Sequence, residues 1–342
     1  MPNLLGFTKL GFSKRMQLVF GLGITLTNDT IRHPAIKNLL NSADAQFDVV
    51  IMEVFLNEAM LGIAHHLNAP VIGYGTFGAT LWTCQMVGSP SPSSYVPHPM
   101  SGLTDKMNFL QRLQNTFSTA VEYIYMHLVY LPAQEKIYND LFPNAEKTLG
   151  QLISNVSMVL LNNHFSLNFP RPYVPNMIEV GGIHLKRKVN ELPTNIKSVL
   201  DNATNGAIYF SMGSNLKSTD LPVATRDAIL RVFAKLNHQV LWKFEDTNLP
   251  GKPDNVFISD WFPQDDVLAH KNIKLFITHG GLLGTQEAVY HGVPVLGIPI
   301  FGDQMMNMAI AVSNGFGLTV QYTNLTEASL TWGLNAMLSN DK

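Results

Sequence analysis

An α/β architecture, with doubly wound parallel sheets shared between two domains, is what this sequence predicts. Short apolar runs rich in β-branched residues alternate with stretches of helical periodicity, the pattern of strand, crossover helix and parallel strand. The chain has 342 residues, 46% hydrophobic and 14% charged, so it can bury a large core and is longer than most single domains. Polar and glycine-rich segments follow the ends of several apolar runs, where ligands of such sheets bind.

Residues 48–52 (DVVIM) read as a strand, residues 57–67 as a helix, and Val71 with Ile72 as the next strand, which makes a first parallel unit. Residues 88–99 (GSPSPSSYVPHP) are too punctuated by proline and serine for a regular element and read as a long functional loop. Helical spacing resumes over 105–130, an apolar run covers 151–161, and 178–182 (IEVGG) closes the first domain, assigned to 1–185. The charged stretch KRKVNEL before Pro193 opens a linker at 186–203, and 204–342 form the second domain. There, strands are expected at 207–211 (AIYFS), 239–243 (QVLWK), 255–259 (NVFIS), 274–278 (KLFIT) and 294–298 (PVLGI). Helical patterns lie at 223–236, 283–291, 304–312 and 327–338. No repeat of fixed period is evident.

A net charge of -2 supplies no electrostatic reason to bind nucleic acid or anionic lipid. Cys84 is the only cysteine, so no internal disulfide can form. No apolar run of about 18 residues occurs, which predicts a soluble chain as written. No signal peptide is expected, since Met1 opens into the mixed segment MPNLLGFTKL, and the polar end SNDK follows the last helical pattern closely. Both ends look cut from a longer protein. No metal site and no cofactor are expected.

The segment THGGLLGTQEA, residues 278–288, runs from strand through a glycine turn into a helix. Gly280 and Gly281 let backbone amides approach a phosphate, the helix N-terminus adds partial positive charge, and His279 can donate to the same anion. A tight turn without a ligand explains His-Gly-Gly equally well. Glu287 could accept from a ribose diol, or be a solvated or capping carboxylate. Trp261 could stack on a base or pack in a core. Asp303 and Gln304 could bond vicinal hydroxyls, although Asp is also an ordinary helix N-cap. Ser211, Gly213 and Ser214 follow AIYFS in the same way. No GxxxxGK[ST] is present, and no GxGxxG follows the first strand of either half, which argues against P-loop and nicotinamide enzymes.

The stretch WFPQDDVLAHKNIKLFITHGGLLGTQEAVYHGVPVLGIPIFGDQ, Trp261 to Gln304, resembles the signature of the UDP-glycosyltransferases, the family of UDP-glucuronosyl- and UDP-glucosyltransferases, with an invertebrate flavour. FDVVIMEVF, FPRPYVPN, VGGIHL and YFSMGS also fall where that family has related segments. The resemblance implies the GT-B architecture, with two facing doubly wound domains of which the first is incomplete here. It implies Trp261 on uracil, Gln264 and Glu287 on uridine and ribose, and Ser211, Gly213, His279 and the Gly280 turn on the diphosphate. Asp303 and Gln304 would hold the sugar. Arg171 is a candidate donor contact, or a surface side chain between prolines.

The implied reaction is inverting transfer of a hexose, glucose favoured over glucuronate, from UDP-glucose or UDP-glucuronate to a hydroxyl of a small lipophilic acceptor. The SPSPSSYVP loop and the Met- and Phe-rich first domain would line the acceptor pocket, or be ordinary core. Glu53 maps onto the acid that orients the catalytic His. That His would follow a strand preceding Met1, and His33, His65 and His66 do not occupy its place. A catalytically silent UDP-sugar or partner-binding module is the alternative, and a UDP-sugar epimerase a third. The resemblance further implies an endoplasmic-reticulum lumenal protein, membrane-anchored in full-length form by an anchor outside this chain, and allows a homo-oligomer. Sequons at Asn28, Asn155, Asn202 and Asn324 permit that setting.

Overall fold

Every strand pair of the computed structural model is parallel. The structure describes residue 6, residues 10–186 and residues 188–339. The first residues of the MPNLLGFTKL segment, Arg187 of the linker and all but Ser339 of the SNDK end lie outside them. The chain divides into two units, residues 10–98 with 103–183, and the rest from 184 onward with 99–102.

The first unit holds a four-stranded sheet in the order β1 (Val50–Glu53), β2 (Val71–Gly75), β3 (Met158–Leu161), β4 (Met177–Glu179). Its helices are α1 (Phe12–Ile31), α2 (Pro34–Leu40), α3 (Leu61–His66), α4 (Leu81–Val87), α5 (Phe109–Tyr125), α6 (Leu131–Leu141) and α7 (Leu149–Ile153). The run expected at 151–161 thus divides into the end of α7 and β3. Helix α1 buries Met16, Phe20, Thr27 and Ile31 along one stripe. Its signal in the sequence is blurred because Leu18, Leu22 and Leu26 are exposed on the remaining surface. The pattern expected over 105–130 starts at Phe109, capped by Asn108, and runs through a π turn at Met126–Tyr130 into α6. Met52, Val159 and Leu161 from the strands, with Val54 just past β1, meet Ile63, Tyr138 and Leu149 from the helices in one core.

Among the described residues the second unit has six strands where five were expected: β5 (Ala207–Ser211), β6 (Gln239–Lys243), β7 (Val256–Ser259), β8 (Ile273–Thr278), β9 (Val295–Gly297) and β10 (Gly317–Thr319). The sixth, GLT, is three residues long and too short to carry a periodic signal. The helices are α8 (Thr194–Asp201), α9 (Val223–Phe233), α10 (Gln264–Leu268), α11 (Leu282–Tyr290), α12 (Gln304–Ser313) and α13 (Glu327–Leu338). The order β10-β9-β8-β5-β6-β7 is the doubly wound order. One face of the sheet buries Phe210, Phe233, Trp242 and Phe244. The other buries Tyr209 and Phe276 against Phe262 and against Ile196 and Leu200 of α8. Lys186 and Asn190 are tied to the Asp266 carboxylate, which accepts from Lys186 Nζ at 3.1 Å and Asn190 N at 2.7 Å. Among the described residues no helix is long and apolar enough to cross a membrane.

Candidate functional site

Strands β5 and β8 are central neighbours whose onward connections leave in opposite directions, toward β6 and β9, so their carboxyl ends flank the switch point of the sheet. The two turns there are built alike. Ser211 Oγ accepts from Gly213 N at 3.1 Å, and Thr278 Oγ1 accepts from Gly280 N at 3.2 Å. Gly213 and Gly280 both have left-handed backbones, φ +82° and +83°, which other residues adopt only under strain. The His279 ring lies between them. A methyl group on Gly213 would stand 2.5 Å from His279 Cε1, and one on Gly281 would stand 2.6 Å from Nε2. Both glycines therefore make room for the imidazole.

His279 Nδ1 is buried without a hydrogen-bond partner among the described residues. Burial pushes its pKa down to about 4, so the ring is neutral near pH 7 and has a free nitrogen to offer. Next to it, Gly281 occupies the N-cap position of α11 and gives no side-chain cap. The amides of its first turn are left as donors for an anion.

Trp261 is 65% exposed, which rules out the core-packing alternative; the buried aromatic of the pair is Phe262. Lys243 Nζ sits 5.9 Å from the Trp261 ring centroid and pairs with Glu245 Oε1 at 2.7 Å. Gln264 Nε2 donates to Glu287 Oε2, joining α10 to α11. Glu287 is half-buried, and desolvation raises its pKa against the opposing pull of the Gln264 bond, so it is no freely solvated carboxylate. Asp303 precedes α12 but makes no side-chain cap bond, so the ordinary N-cap role is not realised. Its Oδ2 accepts instead from Asn307 Nδ2 at 2.8 Å, and burial raises its pKa. Gln304 turns its Oε1 inward to Ile300 N at 2.8 Å and Phe301 N at 3.0 Å. Ser214 is exposed. Asn307, which the sequence reading missed, also donates to Gly280 O at 2.9 Å. Its position one helical turn after Asp303 was the available signal.

In the first unit Glu53 ends β1, exposed, and accepts from Thr76 Oγ1 at 3.0 Å. No described histidine bonds to it: His33 caps α2, and His65 and His66 occupy the last turn of α3. Arg171 is not a surface side chain. Its guanidinium donates to Ala79 O and to Ser91 Oγ at 3.3 Å, tying the 88–99 loop to the segment that leads into α4. The same loop is held by Asn115, which donates to Ser93 O and Val96 O at 2.7 and 2.8 Å, and by a buried His98–Glu122 pair. Residues so far apart in sequence gave no local sign of that clamp. Among the described residues no group of three or more His, Cys, Asp or Glu is arranged for a metal.

The sequence matches the family described as UDP-glucoronosyl and UDP-glucosyl transferase over residues 16–342. It is 39% identical over 308 residues to UDP-glycosyltransferase UGT5 of Dactylopius coccus, covering 90% of this chain and 58% of that protein. It is 34% identical to 2-hydroxyacylsphingosine 1-beta-galactosyltransferase of Rattus norvegicus, with 81% and 50% coverage. The chain thus spans between half and three fifths of the length of these relatives. In fold it is similar to the calicheamicin glycosyltransferase CalG4, with TM-score 0.62, 15% identity and coverage of 96% and 75%. A UDP-glucose:anthocyanidin 3-O-glucosyltransferase solved with UDP gives TM-score 0.59, 17% identity and coverage of 93% and 72%. These solved structures are GT-B glycosyltransferases, and the α/β fold expected from the sequence is theirs. The chain belongs to the UDP-glucuronosyl and UDP-glucosyl transferase family.

Proposed function

We propose that the second unit binds a UDP-sugar at the β5/β8 switch point, and that the full-length protein transfers the sugar to a hydroxyl of a small lipophilic acceptor with inversion. The single observation that carries this reading is the uncharged His279 imidazole, its Nδ1 without a partner among the described residues, set between two glycine turns beside a helix start with no side-chain cap. Such a group can donate to a diphosphate without bringing a counter-ion of its own, and the bare amides of α11 add to it. Trp261 presents an open indole face for the uracil, Glu287 held by Gln264 accepts from the ribose, and Asp303 accepts from the sugar hydroxyls. Glucose is the favoured sugar, given the similarity to the Dactylopius enzymes named for glycosyl and glucosyl transfer; glucuronate is the alternative. Glu53 orients the base that deprotonates the acceptor. The lumenal, membrane-anchored setting and any homo-oligomer belong to the full-length protein.

A second reading is favoured by one observation: among the described residues the Glu53 carboxylate has Thr76 as its side-chain partner and no imidazole. On that reading the chain by itself binds UDP-sugars without turning them over. Calorimetry with UDP, UDP-glucose and UDP-glucuronate, run beside a product assay, tests both. Binding with product supports transfer by this chain, binding alone supports the silent module, and absence of UDP binding refutes the donor site.

A further inference from the structure

We infer that Asn307 is a positioning residue that sets the register between the sugar-binding and diphosphate-binding ends of the donor site; this rests on the donor-site reading above. The residue is 4% exposed, and its side-chain amide gives one proton to Gly280 O at 2.9 Å and the other to Asp303 Oδ2 at 2.8 Å. An amide carries two donor protons, so both are committed and the two acceptors are held in one fixed fork. One acceptor belongs to the glycine turn that faces the diphosphate. The other belongs to the carboxylate that faces the sugar.

The surroundings leave the fork little freedom. A methyl group on Gly280 would stand 2.7 Å from Met308 Cγ and 3.2 Å from Gln304 O, so the first turns of α12 lie directly against the turn after β8. Gln304 locks the entry to α12 through Ile300 N and Phe301 N. Asp303 makes no cap bond to the amides of its helix, and among the described side chains Asn307 is the one that bonds its carboxylate, beside the residue's own backbone N–H. Without that donor only the residue's own backbone N–H holds the carboxylate, which can then turn away from a bound sugar. UDP touches only the turn end and needs no register between the two; a UDP-sugar needs both ends at once. Asn307 therefore acts on the sugar through Asp303, and its loss is felt by the sugar nucleotide.

The test is calorimetry with UDP and with whichever of UDP-glucose and UDP-glucuronate binds the wild-type chain more tightly, on Asn307→Ala, Asp303→Ala and the double variant, with thermal unfolding alongside. Asn307→Ala is expected to weaken the UDP-sugar about tenfold or more and UDP less than about threefold. In the Asp303→Ala background the same substitution should change UDP-sugar affinity less than about twofold, because its effect passes through the missing carboxylate. A general structural role would instead weaken UDP and UDP-sugar alike, and equally in both backgrounds, and that result overturns the inference. Should the alanine variant fail to fold, Asn307→Ser, which keeps one donor, carries the same comparison and is expected to lie between wild type and the losses above. A wild-type chain that binds no UDP overturns the donor-site reading and this inference together. Normal wild-type binding with no preferential loss of the UDP-sugar overturns this inference alone.

Discussion

At the scale of single residues, the donor site rests on side chains whose protonation and exposure the fold has set. His279 has a folded-state pKa of about 4 against an ordinary 6.5 because burial disfavours its cation. As pH falls, the unfolded chain takes up that proton first, so stability is lost progressively from about 6.5 down to about 4, and the contribution is complete above that window. It amounts to at most about 3 kcal/mol, reduced by the residual exposure of the ring. Buried carboxyls such as Glu58 and Asp303 work in the other sense, since a raised pKa gives stability that is lost as pH rises through the folded value. The His279 share is therefore read as a difference: unfolding free energies of wild type and His279→Asn should diverge only between pH 6.5 and 4, and parallel curves would contradict the neutral imidazole. His279→Ala should also weaken UDP by roughly 1.5–3 kcal/mol, the worth of a hydrogen bond to a charged group. Trp261→Ala presents the complementary case. With 65% of the residue in solvent, its removal should leave stability within about 0.5 kcal/mol while UDP affinity falls by roughly 1–3 kcal/mol of lost stacking. A large fall in melting temperature would mean that the indole packs rather than binds.

At the scale of elements, the two glycine turns separate backbone strain from steric exclusion. Gly213→Ala imposes a left-handed backbone at φ +82° on a residue with a side chain, roughly 1–2 kcal/mol, and drives the new methyl into His279. Gly281 has an ordinary φ of -64°, so Gly281→Ala meets only the His279 ring. Both variants should weaken UDP binding, and only the first should lower stability by the backbone amount; equal melting temperatures would refute the division. The turns themselves were legible, because strand, glycine pair and helix follow one another within eleven residues. So was β8, whose KLFIT run is continuous and apolar. Elements whose definition is tertiary were not. Helix α1 exposes Leu18, Leu22 and Leu26 among its polar residues, β10 is three residues long, and the π turn before α6 carries Tyr130, whose partner Glu58 is 72 positions away. Likewise Arg171 between its prolines read as a surface side chain until Ala79, Cys84 and Ser91 surrounded it.

At the scale of the whole molecule, each unit has its own core, so damage to one should leave the chemistry of the other intact. The buried network behind β1 offers the sharpest probe. Tyr130, fully buried, donates to Glu58 Oε2 and accepts from Gln134 Nε2 at 2.9 Å. Gln134 also donates to Leu56 O at 3.3 Å and accepts from Ala59 N at 3.1 Å, and Leu56 holds a left-handed φ of 55°. Burial pushes the Glu58 carboxyl up, and the Tyr130 hydroxyl bond opposes that shift. Tyr130→Phe removes the hydroxyl, leaves the carboxyl and the Gln134 amide without that partner, and should cost the first unit about 1–3 kcal/mol. The loop that carries the chain away from Glu53 would loosen with it. None of these residues belongs to the cores that contain Phe210, Trp242 and Phe276. Denaturant unfolding followed by fluorescence should therefore show the transition of the first unit moving to lower denaturant, while calorimetry returns an unchanged UDP affinity at low denaturant. A parallel loss of UDP affinity would show that the second unit depends on the first for its binding geometry.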